Sequence, residues 1–394
     1  MASVSVPIPV RWPFDASPDE VESRAELDAH LASGTIAGLT LQGLRLDVDP
    51  PDLSTVDITN TLFLGCRFTS REAAAELLVR GAHVVPAFEE VPYPTQLGHL
   101  YTADELAEGF SAGGFETMYD TVVYRHFLAH GGAVPDIREA LAQRLHDGGM
   151  DDALVDACAA WAHAQGAVAA VGVMGGHAEP RGSAAYRMAT TLGHRLAAAG
   201  VLVVTGGGPG VMEAANLGAY LSQRTDAEVT AAIDALAEAP SFTDHDRYTA
   251  AALALRTAYP LEKGDVVTQL ALGGLAIPTW LYGHEPANLF AGGIAKYFSN
   301  AIREDTILRL ARGGIVFAPG RAGTVQEVFQ AATKVFYRVD GDSGPLVFLD
   351  SGYWSTLSAP ALLGELLAAS PHGDLSGLVH VTDDVEEAVA LLTN

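Results

Sequence analysis

The chain contains few basic residues for its size. Of its 394 residues, 23 are lysine or arginine and 48 are aspartate or glutamate, which gives a net charge of -25 at pH 7. Binding to the phosphate backbone of DNA or RNA requires clusters of lysine and arginine, so this balance argues against a nucleic acid as partner. We interpret the excess of acidic residues as a contribution to solubility.

Cysteine is also scarce, and its two residues, Cys66 and Cys158, are far apart in the sequence. Their number and spacing exclude a zinc-binding motif and a disulfide framework, and their apolar neighbours predict thiols inside the core. The first residues lack the basic and apolar segments of a secretory signal, and no apolar stretch is long enough to cross a bilayer. We therefore expect a cytoplasmic protein that does not contact a membrane.

The length of the chain suggests about two domains, and residues 1–150 differ in pattern from the rest. Residues 35–46 and 56–65 alternate apolar and polar side chains, as half-buried strands do. Their short spacing suggests coil-like β repeats, although two copies do not establish a solenoid. The remainder of this mixed β/α domain is predicted to be helical at 70–80, 103–110 and 118–130. No motif indicates its role, and the two glycines in residues 146–150 predict its end.

From residue 151 to residue 394, short apolar segments alternate with amphipathic helices. This pattern is typical of a parallel sheet with helices on both faces, so we predict an α/β, doubly wound, Rossmann-like domain of about six strands. A helical insertion at about 222–262 interrupts the alternation and suits a lid or an oligomer contact. The strands are expected at 168–174, 201–205, 272–278, 314–318, 346–350 and 379–382, and the helices include 184–198, 226–237, 248–258 and 324–337.

Two glycine-rich loops follow predicted strands and precede predicted helices. The first contains Gly206, Gly207, Gly208 and Gly210, and the second occupies residues 319–327 with the sequence Pro-Gly-Arg-Ala-Gly-Thr-Val-Gln-Glu. Glycine permits tight turns whose N–H groups approach an anion, and a helix that begins there adds the positive end of its dipole. A third turn, at residues 175–177, also follows a strand. The three loops should therefore form one pocket for a phosphorylated small molecule.

Each loop has an alternative interpretation. The first lacks the G-x-G-x-x-G order of a dinucleotide-binding fingerprint, which argues against a dinucleotide-dependent oxidoreductase and leaves a structural turn as the alternative. In the second, Thr324 could cap the helix and donate to a phosphate, and Glu327 lies at the spacing of a capping box. A carboxylate beside a phosphate site is electrostatically unfavourable, which instead favours a chemical role for Glu327.

On these loops, residues 168–350 resemble the LOG family of cytokinin-activating phosphoribohydrolases and their longer bacterial relatives, the nucleotide 5′-monophosphate nucleosidases. The family motif P-G-G-x-G-T-x-x-E is similar to residues 319–327. The family segment G-G-G-x-x-G-x-M is similar to residues 206–212, with one residue fewer between the glycines. An arginine that the family carries in the preceding helix is similar to Arg303.

The chain departs from the family at three positions near these loops. Arg321 replaces the second glycine of the P-G-G motif, which adds a cation and a bulky side chain to the phosphate loop. Glu304 replaces the lysine of the family's Arg-Lys pair, and Gln326 replaces the glutamate that often precedes the catalytic one. Residues 1–150 and the helical insertion have no counterpart in the short plant-type members.

The resemblance implies hydrolysis of the N-glycosidic bond of a nucleoside 5′-monophosphate to a base and ribose 5-phosphate, through a cationic, oxocarbenium-like sugar. It implies that Glu327 stabilises this cation and activates water, and that Arg303 positions Glu327 or binds the 5′-phosphate. It also implies a homodimer or larger oligomer and a reaction that needs no metal and no cofactor. The implied phosphate-binding residues are Gly206, Gly207, Gly208, Gly210, Gly320, Arg321, Gly323 and Thr324.

Other polar residues near the loops carry less specific signals. Asn216 is a further candidate for ribose contact, His177 for ligand contact, and Lys296 is a candidate to replace the missing lysine. Residues 244–246, Asp-His-Asp, suit a metal site or, more simply, a helix cap. The candidates for contact with the base or ribose, with structural roles as alternatives, are Gly175, Gly176, Glu213, His284 and Glu285.

The sequence does not identify the base that would be released. A second function from a different class also fits the pattern, a nucleotide-binding carrier or sensor that has kept the fold without the chemistry. Arg321 in the phosphate loop favours this alternative, whereas Arg303 and Glu327 argue for the enzyme.

Overall fold

The computed structural model describes residues 19–165, 170–261, 264–283 and 285–393. The chain divides into two compact units. The small unit comprises Asp15–Leu100 and Arg125–Ala157, and the large unit includes Tyr101–Tyr124 and Cys158–Asn394. No helix in these described ranges is both long enough and apolar enough to cross a membrane.

The strands, in chain order, are β1 Glu20–Val21, β2 Thr40–Gln42, β3 Leu62–Leu64, β4 His83–Val85, β5 Ala170–Met174, β6 Leu202–Thr205, β7 Leu275–Ala276, β8 Gly293–Ile294, β9 Gly314–Phe317, β10 Leu346–Leu349 and β11 Val379–Thr382. The helices are α1 Arg24–Leu31, α2 Arg71–Val79, α3 Ala103–Leu106, α4 Phe110–Gly113, α5 Tyr119–Ala129, α6 Ile137–Gln165, α7 Ala184–Ala198, α8 Val211–Tyr220, α9 Asp226–Ala237, α10 His245–Ala258, α11 Val266–Ala271, α12 Asn300–Leu310, α13 Ala322–Tyr337, α14 Ser351–Leu357, α15 Ala359–Ala368 and α16 Val385–Thr393.

The small unit contains a parallel sheet in the order β1-β2-β3-β4. Thr40 pairs with Leu62, which pairs with His83, so successive segments of the chain stack in register. Leu41 and Phe63, at the centres of β2 and β3, are fully buried in a common apolar cluster. The two stretches in which the sequence predicts half-buried strands therefore lie side by side as turns of a short parallel coil.

The end of the first domain was expected at residues 146–150, but the structure places this segment inside α6. Gly148 and Gly149 do not form a turn there. A side chain at Gly149 would press against Gln96 and Leu97, so glycine at this position permits close packing of the helix inside the small unit. The observed units also assign Tyr101–Tyr124 to the large unit rather than to an N-terminal domain.

The large unit has the predicted α/β fold, with a parallel seven-stranded sheet in the order β11-β10-β9-β5-β6-β7-β8. Strands β6 and β9 flank β5, so the strand order reverses around β5, as in a Rossmann-like doubly wound sheet. All residues of β5, β6 and β9 are buried, as expected for a sheet covered on both faces. Their carboxyl ends are the expected place for a ligand.

The sheet differs from the prediction at β7 and β8. A strand was expected at 272–278, but β7 is confined to Leu275–Ala276 because Gly273 and Gly274 have positive φ angles that end the extended backbone. The two-residue strand β8 is too short for a sequence pattern to reveal it. Helices α7 and α9 have the predicted bounds, and α10 begins earlier than expected, at His245.

Candidate functional site

The turn after β5 joins the two glycine-rich loops at the carboxyl edge of the sheet. The N–H of Gly176 donates to the carbonyl of Pro319 at 2.9 Å, and the carbonyl of Gly176 accepts from the N–H of Val211 at 3.1 Å. Pro319 begins the second loop, and Val211 begins the helix that follows the first. The structure therefore brings all three predicted loops together where the strand order reverses.

Glycine is required at several positions of the first loop. Gly207 and Gly210 both have φ near 71°, in the left-handed region that side chains disfavour. A methyl group at Gly206 would collide with the guanidinium of Arg303, and one at Gly210 would collide with the carbonyl of Gly176. The loop is thus shaped by close contact with its neighbours as well as by the turn.

Helix α13 begins at Ala322, so the prediction that Thr324 caps this helix was wrong. Arg321 occupies the cap position, and its side chain makes no capping hydrogen bond. Thr324 lies in the first turn, and Glu327 lies in the second, where it cannot complete a capping box. The N–H groups of Ala322, Gly323 and Thr324 have no acceptor among the residues that the structure describes. Unpaired N–H groups at the start of a helix are suited to bind an anion.

Arg303, in the first turn of α12, connects the first loop to Glu327. Its Nε donates to the carbonyl of Ile277 at 2.9 Å, and its Nη2 donates to the carbonyl of Gly206 at 3.2 Å. Its Nη1 lies 3.8 Å from Oε1 of Glu327. The structure therefore places the two predicted catalytic residues side by side at the edge of the sheet.

The carboxyl of Glu327 has an unusual protonation equilibrium. Burial raises its pKa from 4.5 to about 7, the guanidinium of Arg303 opposes this rise, and the negative charge of Glu304 adds to it. A carboxyl with a pKa near neutrality can both donate and accept a proton under physiological conditions. Buried ionisable groups with this property are concentrated at functional sites.

Glu304 is held by three amide side chains. Asn300 donates to its Oε1 at 2.8 Å, and Gln326 and Gln330 donate to its Oε2 at 2.8 and 3.1 Å. Gln326 and Gln330 belong to α13, the helix that carries Glu327, so these bonds fix α12 against α13. Two departures from the LOG pattern, Glu304 and Gln326, are therefore hydrogen-bonded to each other.

Two aromatic residues of α14 support β9 and the second loop that follows it, and no sequence motif predicts either contact. The hydroxyl of Tyr353 donates to the carbonyl of Gly320, and Nε1 of Trp354 donates to the carbonyl of Phe317 at 2.9 Å. Asp350 begins this helix by accepting from the N–H of Tyr353 at 2.9 Å. No motif marks these residues, because their role depends on the next strand of the sheet lying beside β9.

A cleft opens beside the first loop. Its walls include Gly206, Gly207, Gly208, Glu285, Lys296 and Arg303. Glu285 follows β7, and Oε1 of its carboxylate lies 4.0 Å from Nδ1 of the half-exposed His177. Lys296 follows β8 and is almost completely buried. Three of the predicted loop glycines, one predicted catalytic residue and two of the polar candidates thus share one concave site.

The structure contradicts a ribose contact for Glu213, because its carboxylate is used inside the protein. Arg181 donates to both of its oxygens, at 2.9 and 2.5 Å, and the hydroxyls of Tyr186 and Tyr248 donate to Oε2 at 2.9 and 2.6 Å. The side chain is 2 % exposed. Asn216 is likewise buried and bonded to Thr205, so it does not face a ligand. The network instead fixes the insertion helix α10 to α8.

The remaining candidates have varied positions. Gly175 packs against Val211, and a side chain at Gly320 would collide with Thr324, whereas Arg321 and Gly323 are exposed. His284 lies outside the described residues. In the segment 244–246, Asp244 caps α10 by accepting from the N–H of Arg247 at 3.2 Å, which confirms the cap. Asp246 accepts from the N–H of Phe115 at 2.7 Å.

Comparison with known proteins gives one family match. The SLOG cluster4 family matches residues 168–225, a segment that contains β5, α7, β6, the first glycine-rich loop and α8. The SLOG superfamily includes LOG-like Rossmann proteins, and the matched segment ends before Arg303 and Glu327. No curated protein matches the chain.

Proposed function

We propose that the large unit hydrolyses the N-glycosidic bond of a nucleoside 5′-monophosphate, with release of a free base and ribose 5-phosphate. The observation that carries this proposal is the partly buried carboxyl of Glu327, with its pKa raised to about 7, beside Arg303 and next to backbone N–H groups that have no acceptor among the described residues. The SLOG cluster4 match adds support, because it favours a nucleotide-related function.

The start of α13 is the proposed site for the 5′-phosphate. Three N–H groups there, from residues 322 to 324, have no acceptor in the described part of the chain. The helix is 16 residues long, so its dipole contributes a positive potential at this end. The hydroxyl of Thr324 and the exposed guanidinium of Arg321 can add charge-assisted hydrogen bonds. Arg321 thus supplements the backbone N–H groups at this loop.

Glu327 is the proposed catalytic residue. As the bond between C1′ and the base nitrogen breaks, positive charge develops on the sugar, and a carboxylate nearby stabilises it. The same carboxylate takes a proton from the water whose oxygen attacks C1′, and the departing base receives a proton in turn. Because its pKa is near 7, Glu327 can act as a base when it is ionised and as an acid when it is protonated within one catalytic cycle.

Arg303 is proposed to position Glu327. Its bonds to the carbonyls of Ile277 and Gly206 fix the guanidinium to the residue that follows β7 and to the first loop, while Nη1 remains directed towards the carboxyl. A guanidinium favours the ionised form of the carboxyl and limits its rise in pKa. Arg303 therefore keeps part of the Glu327 population ionised and able to act as a base.

Product analysis tests this function directly. Purified protein is incubated with each of the four common ribonucleoside 5′-monophosphates, and free base and ribose 5-phosphate are separated by chromatography. The proposal predicts equal amounts of both products from at least one nucleotide, with no release of inorganic phosphate. If nucleotides raise the melting temperature but yield no base, the site is that of a binding protein, and the proposed activity is wrong.

A further inference from the structure

Lys296 is a buried cation at the wall of the cleft. It follows the short strand β8, and it lines the same cleft as Gly207, Gly208 and Arg303. Its side chain is 3 % exposed. Lysine is rarely buried to this extent without compensating partners, because removal of an ammonium group from water is costly. The ammonium group of Lys296 therefore needs hydrogen-bond acceptors close to it.

Asp120 is the one hydrogen-bond acceptor for Lys296 in the described part of the chain. Nζ of Lys296 donates to Oδ1 of Asp120 at 2.5 Å, and it lies 5.3 Å from the centre of the Trp280 ring. Nε1 of Trp280 donates to the same Oδ1 at 2.9 Å. An ammonium group carries three N–H donors, so two of them have no acceptor among the residues that the structure describes. An unpaired buried donor is costly unless another molecule accepts from it.

The charge of Lys296 is already balanced. Asp120 offsets it at close range, and the carboxylate of Glu285 belongs to the same cleft. Arg303 adds a second cation to the cleft, so the charges of Lys296, Arg303, Asp120 and Glu285 cancel and leave no net positive charge for a second dianionic phosphate. A neutral oxygen acceptor would satisfy the remaining N–H groups without adding charge to the cleft. The electrostatics therefore favour a carbonyl-type oxygen over a phosphate oxygen as the partner of Lys296.

The topology places Lys296 at the far end of a bound nucleotide. The proposed phosphate site follows β9, Lys296 follows β8, and β5, β6 and β7 lie between them in the sheet. Adjacent strands are about 4.8 Å apart, so four spacings amount to roughly 19 Å. A nucleotide extended from the phosphate site along this edge, together with the long lysine side chain, covers that distance with the base towards Lys296.

We propose that Lys296 determines base specificity by donating a hydrogen bond from its ammonium group to an oxo group on the base. The identity of the ligand as a nucleotide rests on the proposed function. The substrate class is then nucleoside 5′-monophosphates with an oxo-substituted base. Asp120 holds the ammonium in place through a bond that leaves two N–H groups directed to other acceptors.

A matched pair of ligands isolates the oxo group. Inosine 5′-monophosphate carries an oxo group at position 6 of the base, and purine riboside 5′-monophosphate carries hydrogen there. The oxo group is accompanied by an N–H at position 1, which the second ligand also lacks. Binding is measured by calorimetry in Glu327→Gln protein, so that turnover does not interfere. We expect inosine 5′-monophosphate to bind about 10-fold more tightly, the effect of one charge-assisted hydrogen bond. The difference in affinity between inosine and inosine 5′-monophosphate measures the contribution of the phosphate site separately.

The matched variant removes Lys296 together with its counter-ion. Lys296→Met alone would leave Asp120 buried and unpaired and could destabilise the fold, so it is combined with Asp120→Asn. In this double variant we expect the 10-fold preference for the oxo group to disappear, while the preference for the phosphate over inosine is retained. The melting temperature confirms that the variant is folded.

Two outcomes would overturn the inference. Loss of the phosphate preference in the double variant, with the oxo preference intact, would make Lys296 a phosphate ligand. An unchanged oxo preference, with the phosphate preference intact, would give Lys296 a purely structural role. Oxo-dependent binding without product formation by the protein that carries Glu327 would leave this inference standing and reject the proposed hydrolysis alone.

Discussion

The guanidinium of Arg303 lies beside the carboxyl of Glu327 and is hydrogen-bonded to two backbone carbonyls from other segments. Nη1 of Arg303 lies 3.8 Å from Oε1 of Glu327, while its Nε and Nη2 donate to the carbonyls of Ile277 and Gly206. The spacing to Glu327 is longer than a hydrogen bond, so the guanidinium does not occupy a hydrogen-bonding site of the carboxyl. The position of the candidate catalytic residue thus depends on the first glycine-rich loop.

Replacement of Arg303 by lysine should separate charge from geometry. An ammonium group has the same charge but cannot form the planar fork that reaches two carbonyls and faces a carboxyl. We expect kcat/KM to fall about 100-fold in Arg303→Lys, because Glu327 loses its support. Steady-state kinetics measures this, with Arg338→Lys at the exposed end of α13 as the matched control. Equal kcat/KM in both variants would show that the fork has no role.

The stability of the protein should depend on pH through Glu327. Its pKa is about 7 in the folded state and returns to about 4.5 on unfolding, because burial disfavours the charged form. This carboxyl therefore contributes stability that is fully present below pH 4.5 and is lost as pH rises through 7. The loss should amount to roughly 1–3 kcal/mol.

Glu327→Gln removes this titration. The free energy of unfolding of the variant, minus that of the unsubstituted protein, should therefore increase between pH 5 and pH 8.5. Urea unfolding at several pH values measures the difference. A difference that does not change with pH would mean that Glu327 ionises normally.

Glu304 should raise the pKa of Glu327 in the functioning protein. Its charge is one of the two contributions that raise this pKa, and its position is fixed by Gln326 and Gln330. In Glu304→Gln, we expect the inflection of Glu327 in the pH profile of kcat/KM to move to lower pH. Glu365→Gln, an exposed change on α15, is the control. The prediction fails if the two profiles have the same inflection.

Glu213 should affect stability but not substrate binding. Its carboxylate accepts hydrogen bonds from Arg181, Tyr186 and Tyr248 in a buried network. Glu213→Gln leaves the Arg181 guanidinium buried without its counter-ion, which should cost about 3–5 kcal/mol. Chemical denaturation measures this loss. At temperatures where the variant stays folded, KM should be unchanged. A large rise in KM would instead indicate that Glu213 contacts the ribose.

The sequence predicted the sheet well because its strands are short apolar runs separated by helices. Strands β5, β6, β9, β10 and β11 lie inside their predicted segments. Strand β8 was missed because a strand of two residues, one of them Gly293, produces no pattern. The two glycines within 146–150 predict a domain end, but both lie inside α6, where Gly149 allows the helix to pack closely against Gln96 and Leu97.

The candidate site could be predicted only where its residues are contiguous. The three loops and Glu327 are each visible as local motifs in the sequence. The three loops meet at the carboxyl edge of the sheet, as the topology requires. The partners of Glu213 come from two segments distant from it in the sequence, one at 181–186 and one at Tyr248. The bond between Glu304 and Gln326 depends on the packing of α12 against α13. Such contacts between distant segments leave no signal in a single sequence, so Glu213 was assigned to the ligand and the amides around Glu304 were overlooked.

Glycosidic hydrolysis by Glu327 can be tested on the purified protein. The most direct measurement compares product formation by the unsubstituted protein and by Glu327→Gln, at nucleotide concentrations that saturate both. We expect base and ribose 5-phosphate in equal amounts from the unsubstituted protein. In the variant we expect turnover to be about 10²–10⁴-fold slower, with nucleotide affinity retained. Equal turnover in both proteins, or no product from either, would show that Glu327 does not catalyse this hydrolysis.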